Sequence, residues 1–345
     1  MHAGADPSAM EPSCLFRCIA RLRLSMTPDI SPVAQHALGR REQADCCRRV
    51  VRSRTWFVTA FLVGTAGSLA HVPSADATPA TVLLARYAEL SDKLEKNPFH
   101  KPLYLESGEN SGEVKGSLYA VITQPFPVVQ SALKEPAHWC DILILHVNTK
   151  YCRASLTGAW PVLKVNIGRK AEQPIAQSVR VEFSYRVIAA APDRLALVLE
   201  AAKGPFGTRN YSILLEAIPL TQTKTFVHLA YSYAYGTAAK LAMHAYLATT
   251  GSRKVGFTVT GTRNDGQVDY VGGLRGVVER NTMRYYLAIE AYLGALSVPP
   301  AAQLEKRLKD WYVETERYSR QLHEIEKDDY LEMKRREYVS QQSEY

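Results

Sequence analysis

Alternation of apolar and polar positions marks most of the middle of the chain as strand. In Val179–Val187, Val179, Val181, Phe183, Tyr185 and Val187 fall on one side and Arg180, Glu182, Ser184 and Arg186 on the other, the period of a half-buried strand. The same period recurs at Val114, Gly116, Leu118, Ala120 and Ile122, and at Leu195, Leu197 and Leu199. It appears again at Tyr211, Ile213, Leu215 and Ala217, and at Val227, Leu229, Tyr231, Tyr233 and Tyr235. Ile142–Thr149 and the shorter Val162–Ile167 read as further strands. Tight connections such as Pro192-Asp193 predict an antiparallel sheet. Gly108–Gly112 reads as a turn, and Lys254–Gly261 with Gln267–Val271 as a hairpin about Asn264-Asp265-Gly266.

Helical spacing appears elsewhere. Leu83, Leu84, Tyr87, Leu90 and Leu94 predict an amphipathic helix over Thr81–Lys96, stopped by Asn97-Pro98. Val128–Lys134 predicts a short helix ending before Pro136, and Ala238–Thr249 another. The longest is Gly273–Leu296, with Val277, Val278, Asn281, Tyr285, Ala288, Ile289, Tyr292 and Leu296 along one stripe. Pro299-Pro300 closes this body. Beyond it the chain is charged and helical, with Leu304, Leu308 and Trp311 on one face and Glu305 placed to pair with Lys309. Asp329-Tyr330-Leu331-Glu332 has the form of a capping box opening a last helix.

The N-terminal segment, up to Ala77, reads differently. Arg48, Arg49, Arg52 and Arg54 precede an apolar run from Thr55 to Ala70, and Ala75-Asp76-Ala77 follows. That order predicts a secretory signal over residues 48–77, cleaved after Ala77. The alternative is an uncleaved anchor in the inner membrane, for which the run is short. Residues 1–47 show no periodicity and read as an untranslated or disordered extension. The expected compartment is therefore periplasmic.

Export changes the meaning of the cysteines. Of six, Cys14, Cys18, Cys46 and Cys47 precede the cleavage site, leaving Cys140 and Cys152. An even count in an oxidising compartment predicts a disulfide between them, stabilising by roughly 3 kcal/mol in the chain-entropy model. No C-x-x-C pair is present, and His146 alone does not complete a zinc site, so no metal and no cofactor is expected.

Charge adds little. Of 42 basic and 34 acidic residues, nine and six precede Thr78, leaving 33 and 28, or +5. Without a dense basic stripe interleaved with aromatics, a nucleic-acid partner is not expected.

The stretch GEVKGSLYAVITQPFPVVQSALKEPAHWCDIL runs from a strand through a proline turn into a helix and an aromatic. GTRNYSILLEAIPL followed by TFVHLAYSYAYG supplies paired central strands. With one long C-terminal helix, this order resembles the START-like (SRPBCC, helix-grip) superfamily, over about Glu113–Leu296. The resemblance implies an α+β fold in which a curved antiparallel sheet wraps the long helix around a pocket for an apolar ligand. The domains expected are a helix and linker over 78–112, the START-like body over 113–298 and a helical tail over 299–345. The segment Ala238–Val271 and that tail depart from the pattern.

Within this frame Asn281 interrupts the apolar stripe of the long helix. Asn281, Tyr285 and Arg284 are the candidates to meet a ligand's polar head, with Tyr231, Tyr233 and His228 from the strand. The competing reading leaves Glu279 and Arg280 on the solvated side of the helix and gives Asn281 a backbone partner. No G-x-S-x-G or H-E-x-x-H occurs, and Gly204–Thr208 and Val271–Leu274 match no phosphate-binding loop. Ser232 and His228, four residues apart on one strand face, are separated by roughly 13 Å. The expected function is thus non-enzymatic binding of a lipid or other apolar molecule, for carriage or sensing. The alternatives are a cyclase- or hydrolase-type enzyme on the same scaffold, or an envelope module whose C-terminal helices meet a membrane surface or a protein.

Overall fold

A computed structural model describes residues 79–237, 240–241 and 254–343. The expected signal segment and nearly all of the helix expected over Ala238–Thr249 lie outside the described residues. Among the described residues no helix is long and apolar enough to cross a membrane.

Eight antiparallel strands form one sheet: β1 (Leu103–Asn110), β2 (Glu113–Ile122), β3 (Thr149–Ser155), β4 (Val162–Ile167), β5 (Val179–Ala191), β6 (Arg194–Lys203), β7 (Arg209–Thr221) and β8 (Lys224–Ala234). Their order is β1-β2-β8-β7-β6-β5-β4-β3. Register sets the faces, since a strand's side chains alternate. Leu118 pairs with Leu229, and Leu229 with Leu215, which puts these leucines, with Tyr231 and Tyr233, on the inner face. Tyr119, Phe226 and Ile218 fall on the outer face, where helix α1 (Pro79–Glu95) covers them with Leu83, Leu90 and Leu94.

The inner face is closed by α2 (Phe126–Leu133), α3 (Pro136–Leu143) and the long α4 (Gly273–Ala295). A small hairpin, β9 (Val259–Thr262) with β10 (Val268–Tyr270), precedes α4 as expected. The tail forms α5 (Pro300–Glu316), the one-turn α6 (Ser319–Leu322) and α7 (Lys327–Gln342). It is not an appendage: Trp311, Tyr312, Tyr330, Leu331 and Met333 belong to the same apolar core as the sheet. With α5 and the one-turn α6 behind it, α4 is buried nearly all round rather than along one stripe, and the expected stripe end, Leu296, is exposed.

Three elements differ from the sequence reading. Leu103–Asn110 is a strand where linker and, from Gly108, a turn were expected; the turn is only Ser111-Gly112, where Gly112 takes φ +89°. Ile142–Thr149 is not a strand. Pro136 opens a helix at a position where its missing N–H costs nothing, and the Trp139 indole donates to the Leu133 carbonyl at 2.8 Å. The apolar run is therefore the end of α3 and a buried turn, which periodicity alone cannot separate from a strand. The capping box at Asp329 is not formed, because α7 begins two residues earlier behind Glu326.

The Cys140–Cys152 disulfide is present, with Cα atoms 5.1 Å apart. It ties α3 to β3 across the turn that carries His146. On the other side of the core α4 lies directly on β2 at Gly116, where an added Cβ would stand 2.4 Å from the Thr282 Oγ1. Gly116→Val should overpack this crossing and cost roughly 1–3 kcal/mol, read as a lower urea midpoint with an unchanged slope.

Candidate functional site

Four of the six residues singled out for ligand contact come together on the inner face. Tyr231 and Tyr233 project from β8, and Tyr285 and Asn281 from α4. The rings form a continuous run: His146 to Tyr285 at 5.2 Å between centroids, Tyr285 to Tyr231 at 5.2 Å, and Tyr231 to Tyr233 at 5.8 Å. Tyr211 of β7 joins it, stacked on Tyr233 at 5.2 Å. Tyr211 and His146 were not among the candidates. Tyr211 stood in the strand alternation, and His146 became part of the group only because its turn, wrongly read as strand, folds inward.

Burial dominates the chemistry here. It raises the phenol pKa values of Tyr231, Tyr233 and Tyr285, so all three remain protonated donors at neutral pH. Burial, followed by the positive charge of Arg284, drives His146 well below the ordinary imidazole range. Its Nδ1 accepts from the Asn148 N–H at 3.2 Å, which assigns the remaining proton to Nε2. Nε2 has no acceptor at hydrogen-bonding geometry, although Asn281 is close enough to act on its proton affinity. The Tyr233 hydroxyl is likewise buried without a partner. Two unpaired donors at the ends of one ring run are costly, since each buried polar group left unmade costs about 1–3 kcal/mol.

The remaining candidates have different settings. Arg284 is buried and already meets an anion, the protein's own Glu324, at 2.6 Å; it also donates to the Leu322 carbonyl. Lys170 and Lys254 converge on the same carboxylate. The ammonium of Lys170 is lowered to about 8, by burial first and Arg284 second. This cluster fastens the tail to the sheet. His228 lies on the opposite face of the sheet from the tyrosines, beneath α1. It stacks on Tyr119 at 4.4 Å and bonds Glu216 at 3.2 Å. Glu216, which also pairs with Arg194, is held down to about 2, chiefly by the hydrogen bond to His228. No single pocket holds all six candidates.

Glu279 and Arg280 go against the competing reading that left them on the solvated side of the helix: both are buried. Glu279 accepts from Ser107 Oγ at 2.5 Å, Phe257 N at 2.5 Å, Thr258 N at 2.9 Å and Thr258 Oγ1 at 2.6 Å. Arg280 donates to the Val255 carbonyl at 3.0 Å. Together they strap residues 255–258 onto α4. Nothing local in the sequence marks these residues, because their partners are distant in the chain.

The order β2, α2, α3, β3 to β8, α4, with the sheet set against α4, is the one that the START-like resemblance implies; β1, the hairpin, α1 and the tail are added to it. Among solved structures, the chain is similar to a point mutant of norcoclaurine synthase from Thalictrum flavum, at 11% identity over 42% of this chain and 89% of that one, TM-score 0.31. A conserved protein from Geobacillus kaustophilus matches at 13% identity over 52% and 95% of the two chains, TM-score 0.31. Human StAR-related lipid transfer protein 5 matches at 10% identity over 50% and 91%, TM-score 0.27. Likeness at this level is of fold alone. No family model matches the sequence, and no curated protein is significantly similar to it.

Removing the unpaired phenol separates a structural from a binding role. Tyr233→Phe should leave the ligand-free protein as stable or about 1 kcal/mol more stable, measured by urea denaturation of delipidated protein. A loss of stability would mean the hydroxyl has a partner in solution.

Proposed function

We propose that this chain is an exported START-like protein that binds a lipid or other apolar small molecule without catalysis. The ligand's polar end lies among Tyr233, Tyr231, Asn281 and His146. The observation that carries this reading is the pair of buried donors without partners, Tyr233 Oη and His146 Nε2, flanking an aromatic run on the inner face. A ligand acceptor between the sheet and α4 would satisfy them, with its apolar body against the aromatic run. The basic segment, apolar run and small-residue site at 48–77 support export, and a disulfide between the two remaining cysteines fits an oxidising compartment.

Native mass spectrometry and solvent extraction of protein purified from its own host test the proposal. The expected result is one apolar molecule per chain, retained less well by Tyr233→Phe. Wild-type protein with neither a copurifying nor a competable apolar ligand would overturn it.

An enzymatic reading has one observation in its favour, the His228–Glu216 contact. That pair is shared with Arg194 and lies across the sheet from the tyrosine run, which makes it part of an ion-pair network under α1. The tail is a poor free docking arm, because its own Trp311 and Tyr330 are buried in the same core as the sheet and α4.

A further inference from the structure

A second concavity lies away from the tyrosine run. It is a groove of about 570 Å³ between the end of α1, strand β1, the strap at residues 257–259 and the first turn of α4. This volume is in the range of small-molecule sites, roughly 300–1,000 Å³.

Its two levels differ in character. The floor is apolar, made by the buried Leu105 and Phe257, with Phe99 packed against Phe257 at 5.6 Å. The rim is cationic, with Lys93 and Lys96 from the end of α1 and Arg275 from α4. Lys93 sits over the Tyr104 ring at 4.7 Å. Arg275 donates Nε to Ser107 at 3.1 Å, which fixes the guanidinium plane. Among the described residues, neither the Lys96 ammonium nor the terminal nitrogens of Arg275 meet a carboxylate. Of the two carboxylates nearby, Glu106 is held by Arg86 at 3.1 Å, and Glu279 under the floor is met by four donors.

The lysines alone would be unremarkable, since cations suit a helix C-terminus. Arg275 is the opposite case: a cation in the first turn of a 23-residue helix works against the helix dipole. An anion in the groove would offset that cost. An inorganic anion would make no use of the floor, and a neutral lipid none of the rim.

We propose that this groove binds a small amphipathic anion, a carboxylate or sulfonate carried on an apolar or aromatic body. It is a site separate from the inner tyrosine run and stands whether or not that run holds a ligand.

Isothermal titration with dodecanoate, dodecanol and inorganic phosphate tests it on the purified protein. Dodecanoate should bind at one site per chain, and more weakly as salt rises. The double variant Lys93→Gln/Lys96→Gln and, separately, Arg275→Gln should each weaken it about tenfold. Dodecanol and phosphate should each bind at least about tenfold more weakly than dodecanoate to the wild-type protein. The lysine pair is exposed, so its variant folds even if Arg275→Gln does not. Equal dodecanoate binding by wild type and the lysine variant would overturn the proposal. So would dodecanol or phosphate binding as tightly as dodecanoate.

Discussion

Glu279→Ala should destabilise the protein by roughly 3–5 kcal/mol, the cost of breaking a buried charged network from one side. The carboxylate is fully buried, and each of its oxygens accepts from two donors. Alanine leaves the Phe257 and Thr258 amides and the Ser107 and Thr258 hydroxyls facing a gap. Glu279→Gln keeps the volume and, with its amide nitrogen toward the Ser107 and Thr258 hydroxyls and its oxygen toward the two backbone N–H groups, keeps hydrogen bonds at both positions without the charge, so it should recover most of the loss. Against a total stability of about 5–15 kcal/mol, the alanine variant stands near the threshold of folding. The measurement is the urea midpoint at constant slope, together with hydrogen exchange at Phe257 and Thr258. Both amides should lose their protection in the alanine variant and keep it in the glutamine variant. A midpoint change below about 1 kcal/mol, or retained protection in the alanine variant, would show that the strap is held by other contacts.

That network also shows where sequence reasoning stops. The strands β5 to β8 are legible because one face is core and the other is not, so the two-residue period is written directly in the residues. The same alternation places Tyr231 and Tyr233 inward and His228 outward. Helix α4 is legible in extent but not in environment. An apolar stripe implies one buried side, whereas α5, α6 and residues 255–258 cover the other, and Glu279, Arg280 and Arg284 then become interior charges with specific partners. Those partners lie far along the chain: Ser107 for Glu279 and Glu324 for Arg284. No window of sequence contains both. The tail was misjudged for a related reason. Its charged face dominates the composition, while the few large side chains that bind it to the core, Trp311, Tyr330 and Met333, are spread over three turns or more. The apolar run before Thr149 failed because a buried turn and a buried strand need the same side chains.

The tail's attachment carries the second large expectation, a dependence of stability on pH. Lys334 of α7 is fully buried and donates to the His146 and Thr149 carbonyls and to Glu337, each at 2.7 Å. Lys150, also buried, reaches the other oxygen of Glu337 at 3.0 Å. Two ammonium groups thus share one carboxylate, and burial lowers Lys334 from 10.5 to about 8. The folded chain gives up this proton near pH 8, while the unfolded chain holds it to about 10.5. Between these values unfolding takes up a proton, so stability rises with pH. Below pH 8 both states are charged and the folded state bears the full burial cost. The whole swing is roughly 3 kcal/mol. Lys170, lowered to about 8 as well, adds slope in the same direction. The buried tyrosines act oppositely: Tyr231, Tyr286 and Tyr330 are raised, so the folded state holds their protons longer and stability falls above about pH 10. The clean window is therefore about pH 8–10. There Lys334→Met should flatten the rise in urea-derived stability by up to about 1.4 kcal/mol per pH unit. The slope is the readout because methionine also abandons two carbonyls, which shifts stability at every pH alike. If the variant and wild type climb in parallel from pH 8 to 10, then Lys334 keeps its proton throughout. The ammonium would in that case be paired well enough with Glu337 to offset its burial.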